Sequence, residues 1–349
     1  MKTSSKKITA VLLAMILCCS CFLSVASAGS QYGDYDTYVL LGDSVASGYN
    51  DIDYLDTEFV RVDHSYAAIV ADTIGAELIP MACPGFRTVE MRYILEDDYE
   101  ADQYLFNNVR DKEVMEQRIP EIRKAIAEAE LITLGLGGND FGTFLTWVLA
   151  DIMENEGVCA PFVDALRKLA DENSIENANL ETVIELADTM GVLPEVMQVL
   201  PRALEYGISG YFENWDCMIE DIYALNPDVE LLVIGMFDTA VKSADDTEDV
   251  GTTELTLNIG QMIVDMANEP MIEGAEKYGY TFVDTTGTTC DTYHPNYEGH
   301  QYIAEKILDA LEEIAAGEEA VDDAFENMSF FAKIVYIFKN LFSMILSVA

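Results

Sequence analysis

Histidine is scarce in this chain: His64, His294 and His300 are the full complement in 349 residues. They stand apart in sequence and make no metal-ligand cluster, so a metal centre is not expected. Positive charge is also thin, with 19 Lys and Arg against 63 Asp and Glu and a formal charge of −44. Such a surface repels nucleic acid and anionic headgroups, which excludes a nucleic-acid partner and favours solubility. The acids are spread along the chain rather than gathered in one tail, as on a solvated acidic surface. No internal repeat or low-complexity tract stands out. Cysteine is sparse, with seven in all. What is plentiful is apolar side chain, at 50% of residues, which is enough for a sizeable globular core.

Residues 1–28 read as a signal peptide. Lys2, Lys6 and Lys7 form a positive start, Ile8 to Val25 is apolar, and Ala26-Ser27-Ala28 offers a small-x-small cleavage site. An uncut membrane anchor is the competing reading, and a lipoprotein signal at Cys18, Cys19 or Cys21 a weaker third. Cleavage would take the formal charge from −44 to −47, because the segment holds three Lys and no acid. It would also leave four cysteines, Cys83, Cys159, Cys217 and Cys290. An exported chain permits disulfides. A Cys159–Cys217 bridge is favoured, a Cys83–Cys290 bridge between two loops is the alternative, and buried thiols are the plain reading.

Five short apolar runs predict strands at Tyr38–Leu41, Glu77–Met81, Leu131–Leu136, Glu230–Met236 and Thr281–Asp284. Unbroken apolar runs suit strands covered on both faces of a parallel sheet. Helical patterns fall between them at Tyr66–Ile74, Glu113–Glu130, Trp215–Leu225 and Leu257–Tyr278, and Glu298–Ala315 follows the last strand. This alternation predicts a three-layer α/β/α domain over residues 29–316, with its site at the carboxyl ends of the strands. Residues 141–214 break the rhythm. They predict a helical insertion with helices at Phe144–Glu154, Pro161–Leu169 and Leu180–Met190, either a cap over the site or peripheral packing. Residues 317–349 form a tail. Gly317–Asn327 reads as an acidic linker, and Met328–Ala349 as an amphipathic helix with a narrow polar stripe. Such a stripe suits a membrane surface or a partner slightly better than docking on the protein itself, although the acidic body opposes anionic lipid.

Four sequences at strand ends carry chemistry. Gly42-Asp43-Ser44 places a serine where a strand turns into a helix, whose first N–H groups favour negative charge. Taken alone it is also ordinary turn and N-cap chemistry. Asp291-Thr292-Tyr293-His294 offers a base for that serine and, three residues earlier, a carboxylate to orient it. His64 and His300 each begin a predicted helix and read as structural. Gly137-Gly138-Asn139-Asp140 offers a side-chain amide to an oxyanion, and Gly85 offers a backbone N–H. Each is weak by itself, but one parallel sheet would gather all four on one rim.

The set resembles the SGNH/GDSL hydrolase family. The resemblance spans about residues 36–316 and rests on Gly42-Asp43-Ser44, Gly85, Gly137-x-Asn139-Asp140 and Asp291-x-x-His294, in family order. It implies a flavodoxin-like five-stranded parallel sheet and no cofactor. It also implies Ser44 as nucleophile, His294 as general base and acid, Asp291 as its orienting partner, and an oxyanion hole from the Ser44 and Gly85 amides and Asn139. Asp43 and Asp140 would be supports. Cys83-Pro84 is an unusual approach to Gly85, and the 141–214 insertion is long for the family. The implied function is a secreted serine esterase or lipase acting on a lipid or short-chain acyl ester. A carbohydrate acetylesterase is the enzymatic alternative, with Trp147, Tyr293 and Tyr297 as its few stacking candidates. A catalytically dead surface binding protein on the same fold is the alternative of another class.

Overall fold

The computed structural model describes residues 31–50, 57–100, 112–141, 144–171, 180–238, 254–291 and 293–326. The expected signal peptide, residues 1–28, and the expected amphipathic helix, residues 328–349, lie outside the described residues. Five parallel strands form one sheet: β1 (Thr37–Gly42), β2 (Glu77–Pro80), β3 (Leu131–Gly135), β4 (Glu230–Ile234) and β5 (Thr281–Val283), in spatial order β2-β1-β3-β4-β5. The chain leaves β1 for β2 at one edge, then returns past β1 to β3, so the strand order reverses between β1 and β3. Ligand sites of such sheets sit at that reversal, outside the carboxyl ends of the strands.

Burial follows this order. Strands β1, β3 and β4 are buried almost throughout, whereas edge strand β2 is only partly covered. That is why the central strands carry unbroken Val, Ile and Leu runs. Helices α1 (Ser44–Ser47), α2 (Tyr66–Ile74), α3 (Thr88–Leu95), α4 (Lys112–Glu128) and α5 (Gly138–Phe141) lead to the insertion. The insertion holds α6 (Phe144–Asn155), α7 (Ala160–Asp171) and α8 (Leu180–Met190), and α9 (Leu193–Leu225) leads out of it. Helices α10 (Glu254–Tyr278) and α11 (Tyr297–Glu326) are the last among the described residues.

Two of the hydrophobic cores among the described residues are joined by one helix. The larger gathers Val39, Ile132, Val233, Trp215, Ile219 and Ile222 against one face of the sheet. The second lies in the insertion and is built from Val148, Phe162, Leu166, Val196 and Ala203. Helix α9 belongs to both: its first half closes the small core and its second half packs into the large one. The insertion is therefore continuous with the helix that leads into β4.

Two expectations need correction. No disulfide joins Cys83, Cys159, Cys217 or Cys290. Cys83 and Cys290 are buried in separate loops, Cys159 precedes α7 and Cys217 lies on α9, and all four are free thiols. The stretch read as an acidic linker is helical through Glu326. Its Glu- and Ala-rich composition favours helix, and a single Gly317 does not break it.

The carboxyl end of β1 depends on Gly42. Its φ is +148°, and a Cβ there would stand 2.3 Å from the Gly135 carbonyl oxygen and 2.6 Å from the Ala46 Cβ. Only glycine lets β1 and β3 stay paired while the chain turns into α1. Gly42→Ala should lower stability by about 3 kcal/mol, combining backbone strain with overpacking. Urea unfolding of the two proteins checks this.

Candidate active site

The turn after β1 is fixed by two bonds. Asp43 N–H donates to the Gly135 carbonyl at 3.1 Å, and the Asp43 carboxylate accepts from Val45 N–H at 2.9 Å. Asp43 thereby caps α1 and presents Ser44 at its first position. Burial pushes the Asp43 carboxyl up to about 6, against the pull of the Val45 amide and of nearby His294.

Ser44 and His294 meet across the sheet. Although 250 positions apart, Ser44 Oγ and His294 Nε2 are 2.9 Å apart, and both residues are buried. A hydroxyl at that distance can pass its proton to the imidazole. The loop that carries His294 is pinned by its own backbone. Asp291 N–H donates to the His294 carbonyl at 3.1 Å, and Cys290 pairs with Pro295 as an isolated antiparallel bridge. The main chain thus holds Asp291 and His294 in one tight loop beyond β5. The Tyr49 ring meets the His294 ring edge-on, with centroids 4.8 Å apart.

Three possible donors follow three strand ends. The Ser44 N–H at the start of α1 and the Gly85 N–H after β2 have no acceptor among the described residues. Asn139, buried after β3, donates one amide hydrogen to the Phe86 carbonyl at 3.0 Å, which fixes the plane of its side chain. That bond joins the Asn139 loop to the Gly85 loop. A second stitch lies one residue on: Asp140 accepts from the Thr88 hydroxyl at 2.6 Å and from Thr88 N–H at 3.2 Å. Burial pushes the Asp140 carboxyl up to about 7, opposed by the Thr88 bonds and the Arg87 charge. Arg87 itself is buried in an ion pair with Glu90, whose carboxylate also accepts from the Arg87 N–H at 2.8 Å.

This Arg87–Glu90–Thr88–Asp140 network, and helix α3 with it, goes beyond the sequence reading, which has 83–87 as a loop. The available signal was Glu90: an acid on the third residue of a helix bonds back to the N–H just before it. His64 does not cap α2, since Ser65 does so by accepting from Ala68 N–H at 3.2 Å. His300 is wholly buried, and its Nδ1 accepts from Tyr66 N–H at 3.4 Å.

A model of the GDSL-like lipase/acylhydrolase family matches residues 40–302. The chain belongs to that family. No curated protein matches the sequence significantly. Among solved structures, an extracellular lipase from Streptomyces rimosus is 17% identical, with 79% of this chain and 99% of that one covered and a TM-score of 0.45. A phospholipase A1 from Streptomyces albidoflavus NA297 is also 17% identical over 79% and 99%, with a TM-score of 0.46. An acetylxylan esterase from Geobacillus stearothermophilus is 13% identical over 79% and 94%, with a TM-score of 0.38. Membership of the family makes the chain a hydrolase by descent.

Burial drives the His300 imidazole down to about 3, with the neighbouring charges of His64 and His294 adding to it. Below pH 6.5 the unfolded chain takes up a proton that the folded chain refuses, so stability falls as pH drops from about 6.5 towards 3. Asp43 and Asp140 work in the opposite direction, since their raised carboxyls favour the folded chain as pH falls through about 7 and 6. Comparing wild type with His300→Gln isolates the histidine, because both retain the two acids. Between pH 7 and pH 4.5, wild type should lose on the order of 2–3 kcal/mol more than the variant. Urea midpoints at the two pH values measure the difference.

Proposed function

We propose that this hydrolase is an exported serine esterase that works through an acyl-enzyme, with Ser44 as nucleophile. The observation that carries the reading is the 2.9 Å contact between Ser44 Oγ and His294 Nε2. In this scheme the Ser44 hydroxyl gives its proton to His294 as its oxygen bonds to the ester carbonyl carbon. The oxyanion is received by the Ser44 and Gly85 amides and the second Asn139 hydrogen. His294 then returns the proton to the departing alcohol oxygen as the carbon–oxygen bond breaks. Water repeats the sequence, freeing the acid and restoring Ser44. Asp291 would hold the imidazole in the tautomer with its proton on Nδ1 and stabilise the imidazolium.

The substrate we favour is a lipid or short-chain acyl ester, on the strength of an insertion rich in Leu, Met and Phe. Tyr297 supports a second reading as a carbohydrate acetylesterase. It lies three residues after His294 and is 61% exposed, which leaves an aromatic face open for a sugar ring. A binding protein without activity is disfavoured because it would have no need of the Ser44–His294 contact.

The mature chain should hydrolyse p-nitrophenyl esters somewhere between acetate and palmitate, and Ser44→Ala should lower kcat by roughly a thousandfold or more. Activity that survives the substitution would sink the assignment of Ser44. Asn139→Ala should cost about 10²–10³ in kcat with little change in KM, as the loss of one oxyanion donor does. A rise in KM at constant kcat would instead make Asn139 a ground-state contact. Export rests on residues 1–28, and N-terminal sequencing of the secreted protein should read from Gly29. Deleting residues 328–349 should abolish sedimentation with zwitterionic vesicles and spare turnover of soluble esters. Unchanged sedimentation would remove the tail from any membrane role.

A further inference from the structure

The three histidines, scattered in sequence, come together in the fold. The His64 ring lies 5.9 Å from that of His300, and His294 is near enough to affect His300 electrostatically. His294 and His300 have places in the account above, whereas His64 has none. Its Nε2 stands 3.1 Å from the Gly48 carbonyl oxygen. A carbonyl can only accept, so this nitrogen carries the proton and donates it. Asn50 Nδ2 approaches the same nitrogen at 3.4 Å, the weaker contact.

The bond falls on a particular peptide group. Its oxygen, from Gly48, receives the His64 proton. Its N–H, from Tyr49, donates to the Ser44 carbonyl at 3.0 Å. The peptide plane between Gly48 and Tyr49 is thus held from both sides, and the direction in which Tyr49 leaves the backbone is fixed with it. Gly48 is also pressed against the segment that carries His64: a Cβ there would stand 2.7 Å from the Ser65 Cβ and 3.1 Å from the Val62 Cβ. Tyr49 then sets its ring against His294, at 4.8 Å between centroids and 63° between planes. Such an edge contact restrains the partner ring as well as burying it.

We propose that His64 is a positioning residue: by donating Nε2–H to the Gly48 carbonyl it fixes the peptide that aims Tyr49 at His294, and so holds the base towards Ser44. This rests on the serine-esterase reading only for its kinetic consequence. The geometric link from His64 to His294 stands apart from it.

The test uses the full chain with His64→Ala, His64→Gln, Tyr49→Leu and the His64→Ala/Tyr49→Leu double variant. Glutamine keeps an N–H donor at a similar reach. On a p-nitrophenyl ester, His64→Ala should lower kcat about tenfold, the scale of one lost hydrogen bond, with KM within about twofold. His64→Gln should recover to within about threefold of wild type, and the double variant should be little slower than Tyr49→Leu alone. Unchanged kcat in His64→Ala, no rescue by glutamine, or simple multiplication of the two single effects would each overturn the proposal.

A second readout needs no turnover. With three histidines in the chain, the imidazole Hε1 proton signals are few enough to assign. The His294 signal should move in His64→Ala as the Tyr49 ring shifts, and return in His64→Gln. A His294 signal that stays in place in His64→Ala would also overturn it. Ser44→Ala in the same assay separates the two readings: a wild type without Ser44-dependent turnover faults the esterase reading, while the proton signals still decide the role of His64.

Discussion

The close approach of β1 and β3 at Gly42 and Gly135 is the contact from which the rim carrying Ser44 is built. The two strands run side by side to their ends, and there Asp43 N–H closes on the Gly135 carbonyl. This single bond ends β1, starts α1 and sets the height of Ser44 above the sheet. The strand order reverses at the same place, where ligand sites of such sheets lie. A larger residue at Gly42 would push β1 and β3 apart where the Ser44 and Asn139 loops must stay within reach of each other.

Around this contact the protein buries polar groups that would be costly if they were left unpaired. Asp43 is covered but accepts from the amide it caps. Asp140 is covered but accepts from both donors of Thr88. Arg87 is covered but pairs with Glu90. In each case the buried group ties one loop of the rim to itself or to the next loop. The bonds from Asn139 to Phe86 and from Thr88 to Asp140 are two stitches across the same gap, and together they hold the Asn139 and Gly85 segments in register. Preorganisation of this kind requires donors that cannot relax when charge develops, and buried, fully bonded supports provide it.

The parts of this arrangement that were legible in the sequence share a physical reason. Central strands are buried on both faces, so Tyr38–Leu41, Leu131–Leu136 and Glu230–Met236 show as apolar runs. Ser44, Gly85, Asn139 and His294 follow such runs, and parallel strands place everything that follows them on one rim. Helix α2 was legible to its ends because Ser65 and Gly75 are strong start and stop signals. What escaped depends on contacts between distant segments. Nothing in Thr88 announces that Asp140, 52 positions on, will meet it. His64 resembles a helix-start residue until the fold brings Gly48 beside it. The disulfide expectation failed on the same ground, since cysteine spacing carries no information on Cα separation. The acidic stretch after Gly317 misled in another way: charge suggested a linker, while Glu and Ala are good helix formers.

The insertion shows how a long segment can enter a parallel sheet without disturbing it. Any path from β3 to β4 needs a helix to cross back over the sheet. The second half of α9 fills that place, burying Tyr211, Trp215, Ile219 and Ile222 in the main core. Its first half continues outward and closes a separate core with α6, α7 and α8. One helix therefore serves both cores, with Pro201 inside it on the insertion side. The same helix reaches the site indirectly. Asn214 on α9 accepts from Arg92 on α3 at 3.2 Å and donates to the Thr88 hydroxyl at 3.4 Å, and that hydroxyl donates to Asp140. A chain of bonded side chains therefore runs from α9 to the residue beside Asn139, so substitutions that shift α9 within the insertion have a physical route to Asn139.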